Sequence, residues 1–128
     1  MLIAAQIFAV LAAVLHVVFF VFESVLWSKP AVYRRFGIAS QEQADTIGAM
    51  AYNQGFYNLA LAIGVLVGVV LAGLDGDQVV IGKTLMIFGT GCMAVAGAVL
   101  ASTGRNYLRA AAIQFVPAAL ALILTAAS

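Results

Sequence analysis

Two ionisable side chains, His16 and Glu23, interrupt a long apolar run over residues 2–27. An ionisable group at the centre of a bilayer costs roughly 3 kcal/mol or more, so such residues usually face a helix bundle or a functional site. Together with Trp27 they are spaced by seven and four residues. On a helix this spacing places the three side chains within about 40° of one stripe. Glu23 is therefore the candidate general acid or base, or the candidate proton or cation site, with His16 as a less favoured helper.

A structural interpretation of both residues is open, and for His16 it is the favoured one. Glu23 could cap or link helices, paired with Arg105 or Arg109, and His16 could be satisfied by a neighbouring helix. One histidine and one cysteine do not make a convincing zinc site, and no motif typical of haem, phosphate or nucleophile-elbow sites is present. We therefore expect no metal and no cofactor, and the sequence leaves open whether the protein is an enzyme.

A second group of polar side chains opens the next apolar run, where residues 53–58 read Asn-Gln-Gly-Phe-Tyr-Asn. On a helix, Gln54 and Asn58 lie one turn apart on one face, and Asn53 and Tyr57 lie one turn apart beside them. Gln114 interrupts the last apolar run. Buried amides often only join helices, but their position in one layer makes ligand binding an equal alternative. The predicted ligand-binding residues are Glu23, Asn53, Gln54, Tyr57, Asn58, Gln114, His16 and Trp27.

The composition predicts a membrane protein with a single domain over residues 1–128. Hydrophobic residues make up 65% of the chain and charged residues 9%, whereas soluble domains average about 45–50% and about 25%. The net charge is +1 and no basic stripe is present, so nucleic acid is not an expected partner. Membrane lipids are expected partners. Cys92 is the only cysteine and cannot form an internal disulfide.

Four apolar runs are long enough to cross a bilayer as helices, which takes about 20 residues each. The predicted spans are 2–27, 51–74, 79–101 and 107–127. The runs are continuous rather than alternating, which argues against a transmembrane barrel. The predicted fold is therefore an all-α, integral membrane four-helix bundle.

Local signals predict where these helices begin and end. Ser28-Lys29-Pro30 is expected to stop the first helix, because a proline disfavours helix at the residue before it. Ser40 followed by Gln43 is typical of a capping box, so the second helix is expected to begin before it enters lipid.

Basic residues are concentrated in the first and third predicted loops. They are Lys29, Arg34 and Arg35 in the first and Arg105 and Arg109 in the third. Only Lys83 lies near the second loop. Basic loops are retained in the cytoplasm, so both termini are expected on the outer side. The polar residues of three helices would then share the cytoplasmic half of the bilayer.

Three segments together resemble a known family of small bacterial four-span membrane proteins. They are residues 22–27 (Phe-Glu-Ser-Val-Leu-Trp), residues 53–58 and residues 114–117 (Gln-Phe-Val-Pro). The family is the domain-of-unknown-function family 1304, and the resemblance covers nearly the whole chain. It implies the four-span architecture and carries no settled activity.

The function that these residues predict is binding of a small or amphipathic molecule in a polar pocket that faces the cytoplasm between helices. Two alternatives stay open: a proton- or cation-coupled transporter, and a structural accessory subunit of a membrane complex. Pairs of small residues four apart, such as Gly64 and Gly68, allow close helix packing within the chain or in a homo-oligomer.

Overall fold

The computed structural model describes residues 1–128, which form helices and no strands. Four long helices have the length and apolar composition needed to cross a membrane. They are α1 (Leu2–Phe20, continued by a π-helical turn at Val21–Val25), α4 (Gly48–Ala72), α5 (Asp77–Ser102) and α6 (Leu108–Ala126). Short helices α2 (Pro30–Tyr33) and α3 (Gln41–Thr46) lie between α1 and α4, and 3₁₀ turns form at Arg34–Phe36 and Arg105–Tyr107. The prediction of an all-α fold with four long apolar helices is confirmed.

Large apolar side chains are exposed along the long helices. Ile3 is 74% exposed, Phe88 69% and Ile123 62%. In water, apolar surface costs about 25 cal/mol for each Å² left unburied, so such a surface is suited to lipid rather than to water.

The segment after α1 differs from the prediction, which gave Pro30 only the role of stopping the first helix. The helical continuation of α1 already ends at Val25, and Pro30 is the first residue of α2. Lys29 before it is extended, with φ −81° and ψ 128°, as the residue before a proline prefers. Pro30 is accepted at the start of α2 because the N–H that it lacks would have no helical partner there.

The predicted cap at Ser40 is confirmed, whereas the reciprocal bond of the predicted capping box goes to the residue before the cap. The backbone N–H of Gln43 donates to Ser40 Oγ at 3.2 Å, and Gln43 Oε1 accepts from the backbone N–H of Ala39 at 3.2 Å. The capped helix is the short α3, because Ile47 (φ −100°, ψ 6°) interrupts the helical backbone before α4. The second long helix therefore begins at Gly48 rather than at the cap.

Replacing the capping serine tests this local structure. We expect Ser40→Ala to destabilise α3 by about 1 kcal/mol, because the amide of Gln43 loses its acceptor. Hydrogen–deuterium exchange of the α3 amides should then accelerate about fivefold, while Ser40→Asp, which keeps a capping oxygen, leaves exchange close to wild type. Equal exchange in Ser40→Ala and wild type would show that the cap contributes nothing.

Contacts within the chain divide it into two compact units, residues 1–15 with 61–128, and residues 16–60. In the first unit, glycines let helices approach at backbone distance. A Cβ atom added to Gly82 would lie 2.7 Å from the carbonyl oxygen of Gly68 and would collide with the backbone nitrogen of Ala72. A Cβ on Gly97 would lie 2.9 Å from the Cβ of Phe115. Gly68 and Gly97 therefore serve packing within the chain.

Buried and partly buried polar side chains of the first unit bond to backbone carbonyls. The hydroxyls of Thr90 and Thr125 each donate to the carbonyl four residues earlier at 2.6 Å. Gln6 Nε2 donates to the carbonyl of Val69 at 3.1 Å. These bonds satisfy side chains that would be costly to leave unpaired in an apolar interior.

Candidate functional site

In the second unit (residues 16–60), a pair of side chains links the end of the first spanning helix to the beginning of the second. Asn58 Nδ2 donates to Glu23 Oε2 at 2.6 Å. Asn58 is 8% exposed, whereas Glu23 is about half-buried. The amide therefore binds one carboxyl oxygen of Glu23 and fixes the orientation of that side chain.

Glu23 lies at the centre of the π-helical turn Val21–Val25. The backbone N–H of Leu26 donates to the carbonyl of Val21 at 2.9 Å, five residues earlier. It is the last turn of the first spanning helix, and π-turns are known at the C-terminal ends of helices. The sequence analysis did not predict this turn.

A row of small residues lets the backbone of α4 approach the last turn of the first spanning helix. One face of α4 carries Gly48, Ala51 and Gly55, spaced by three and four residues, and Asn58 continues that face. A Cβ atom on Gly55 would collide with Ser24 Oγ. Because no side chain separates the helices at Gly55, Asn58 can reach Glu23 one turn further along α4.

Ser24 and Trp27 make two further bonds to backbone carbonyls in this unit. Ser24 Oγ donates to the carbonyl of Tyr52 at 2.7 Å, and Trp27 Nε1 donates to the carbonyl of Ala44 at 2.9 Å. The Trp27 ring also lies 5.3 Å from the ring of Phe36, centroid to centroid. The single N–H of the indole is thus used within the protein.

These elements surround an open cleft of about 360 Å³, which we name the Glu23 cleft. Its wall carries two carboxyl groups and two aromatic rings and has no basic side chain. Its principal lining residues are Glu23, Ser24, Trp27, Asp45, Gly48 and Tyr52. Asp45 is exposed, and its Oδ1 accepts from Gln41 Nε2 at 2.8 Å.

The other predicted site residues are not among the lining residues of this cleft. Asn53, Gln54 and Tyr57 are exposed on α4 and do not line it. His16 is 1% exposed, with its ring 5.4 Å from the ring of Phe19. Gln114 belongs to the first unit and is half-buried in α6.

The structure thus brings Glu23, Asn58 and Trp27 to one region and adds residues that the sequence analysis did not name as site residues. Of these, Ser24, Asp45 and Tyr52 line the cleft and Gly55 permits the close approach. The spacing of small residues on α4 was the available signal for Gly55. No group of three or more His, Cys, Asp or Glu side chains is placed to hold a metal ion.

The all-helical fold and its four apolar helices define a small multi-span integral membrane protein. The chain belongs to the family described as protein of unknown function (DUF1304), which matches residues 10–126. The family resemblance seen in three sequence segments is therefore confirmed. No curated protein and no solved structure matches the chain.

Proposed function

We propose that this membrane protein binds a small amphipathic molecule in the Glu23 cleft. The observation that carries the proposal is a carboxyl group within a candidate membrane span, oriented by a buried amide and lining an open cleft. Ionisable residues within spans are costly and commonly mark binding or transport sites. Glu23 is the central polar group, and Asn58 positions it.

The charge distribution supports a cytoplasm-facing cleft, and the proposed location is the inner membrane of a bacterium. Lys29, Arg34 and Arg35 follow directly on the helix end that carries Glu23, and all three belong to the loop that the positive-inside rule assigns to the cytoplasm. The cleft would then open near the cytoplasmic boundary, where an amphipathic molecule has its head group in water and its apolar part in lipid.

A structural role is the second candidate, and the interhelical bonds favour it. The Glu23–Asn58 and Ser24–Tyr52 bonds both join the first spanning helix to the second. Polar contacts of this kind can fix helix register without binding anything. Under that interpretation, changing Glu23 alters stability and removes no ligand.

The two candidates differ in how stability responds to added lipid. We expect an organic extract of bacterial membranes to raise the unfolding temperature of purified, delipidated wild type in non-ionic detergent, because a ligand that binds the folded state stabilises it. Glu23→Gln keeps an oxygen that can accept from Asn58 but lacks the charge, so its unfolding temperature should rise much less.

Glu42→Gln is the matched control, since Glu42 is an exposed acid on α3 outside the cleft. It should respond to the extract like wild type. If all three proteins are stabilised equally, the effect is general solvation by lipid and the binding proposal is wrong.

A further inference from the structure

The charges that line the Glu23 cleft have one sign. Glu23 and Asp45 both contribute carboxyl groups, and no lysine, arginine or histidine is among the lining residues. Arg35, a basic residue of the same unit, lies with its guanidinium carbon 5.6 Å from the centroid of the Phe22 ring instead. A ligand with a positive charge would therefore meet two carboxyl groups, the exposed one of Asp45 and the half-buried one of Glu23, where Coulomb attraction is stronger than at a fully exposed carboxylate.

The aromatic rings that line the cleft also favour a positively charged ligand. Trp27 already donates its N–H to the carbonyl of Ala44, so the indole can offer a ligand only its ring surface. Tyr52 supplies a second ring. The negative faces of such rings attract cations, and proteins recognise quaternary ammonium groups through aromatic side chains.

The same lining residues offer few groups that could bind an anionic head group. A phosphate or carboxylate needs several donors, typically arginine, lysine or free backbone N–H groups. The Ser24 hydroxyl already donates to the carbonyl of Tyr52. The remaining side-chain donors of the cleft are the hydroxyls of Ser28 and Tyr52.

We propose that the ligand of the Glu23 cleft is an amphipathic organic cation, with an amine or quaternary ammonium head group on an apolar chain. This inference rests on the proposed function, which requires only that the cleft binds an amphipathic molecule. The head group lies between the carboxyl groups of Glu23 and Asp45 and contacts the ring of Trp27. The volume of about 360 Å³ is within the range of small-molecule pockets, about 300–1,000 Å³. The apolar chain leaves the cleft along the exposed side chain of Val25.

Trp27 is the only tryptophan of the chain, so its fluorescence reports on the cleft without a label. The probes are decyltrimethylammonium, its uncharged isostere with carbon in place of nitrogen, and decyl phosphate. We expect the ammonium probe to change Trp27 emission saturably. The isostere should bind at least about tenfold more weakly, because it lacks the cation–π and carboxylate attraction.

Two acids on α3 provide a matched pair of variants, since Asp45 lines the cleft and Glu42 does not. Both are exposed, so neither substitution should disturb folding. Asp45→Asn should weaken binding of the ammonium probe about three- to tenfold and leave the isostere unchanged, and Glu42→Gln should change neither. Comparison at one detergent concentration removes the contribution of probe partitioning into micelles.

The outcomes separate this inference from the proposed function. If the isostere or decyl phosphate binds as tightly as the ammonium probe and Glu23→Gln weakens that binding, the cleft is a ligand site and the cation inference is wrong. If Asp45→Asn and Glu42→Gln weaken the ammonium probe equally, attraction is by general surface charge, which also overturns the inference. If none of the three probes changes Trp27 emission and the purified protein retains no molecule, both proposals are wrong.

Discussion

Gly82→Ala is expected to lower the free energy of unfolding by about 3 kcal/mol, the upper part of the usual range for overpacked positions. The added Cβ would lie 2.7 Å from the carbonyl oxygen of Gly68 and from the carbonyl carbon of Leu71, and would collide with the backbone nitrogen of Ala72. All three obstacles are backbone atoms, so no rotamer change can relieve the contact and α4 and α5 must separate. Thermal unfolding in non-ionic detergent, followed by far-ultraviolet circular dichroism, measures the loss.

Gly91→Ala is the control on the same helix. A Cβ on Gly91 meets no heavy atom within 4 Å, and alanine favours helix over glycine by up to about 1 kcal/mol. This variant should therefore be as stable as wild type or slightly more stable. Equal stability of Gly82→Ala and Gly91→Ala would contradict the close approach of α4 to α5.

The second large effect is expected at Asn58. Replacing Asn58 by alanine removes the amide that donates to Glu23 Oε2 and leaves a half-buried carboxyl oxygen without that donor. We expect the free energy of unfolding to fall by about 2 kcal/mol, as for loss of a hydrogen bond to a charged group. Asn53→Ala, at an exposed position on the same helix, should change it by less than about 0.5 kcal/mol.

A double-mutant cycle then assigns the Asn58 effect to the pair with Glu23. With Glu23→Leu, which has no acceptor, the further change Asn58→Ala should cost at least about 1 kcal/mol less than it does in wild type, because contacting residues couple by about 0.5–3 kcal/mol. Additive effects of the two substitutions would show that Asn58 acts through packing alone.

The long helices were predictable from sequence because each is a continuous apolar run of membrane length, and the composition leaves no soluble alternative. The Ser40 cap was predictable because its two hydrogen bonds are local and join residues only three and four apart. The beginning of α2 at Pro30 was not predicted, because a proline that disfavours one helix can also open the next.

The candidate site was only partly predictable. Helical spacing placed Gln54 beside Asn58, yet Gln54 is exposed and Gly55 is buried. The face of α4 that packs against the first spanning helix is the face with small residues, because only small residues let the two backbones come close. The positions of the polar residues do not indicate which face this is. The single stripe predicted for His16, Glu23 and Trp27 assumed an unbroken α-helix. The π-helical turn changes the register of hydrogen bonds at Glu23, and the helix ends before Trp27.

Asp45 shows a second reason for the difference. It lies in α3, between the predicted spans, and nothing in its local sequence connects it with Glu23, which precedes it by 22 residues. Only the fold of the segment between the first two spans brings both carboxyl groups to one cleft. Such long-range placement cannot be obtained from spacing along one helix.

Native mass spectrometry of the protein extracted in mild detergent tests most directly whether the Glu23 cleft holds a ligand. We predict a discrete bound mass on wild type and on Glu42→Gln, and its loss from folded Glu23→Gln. The released molecule should be amphipathic. If wild type retains no mass, and Glu23→Gln differs from it only in stability, the cleft serves helix packing and the binding function is contradicted.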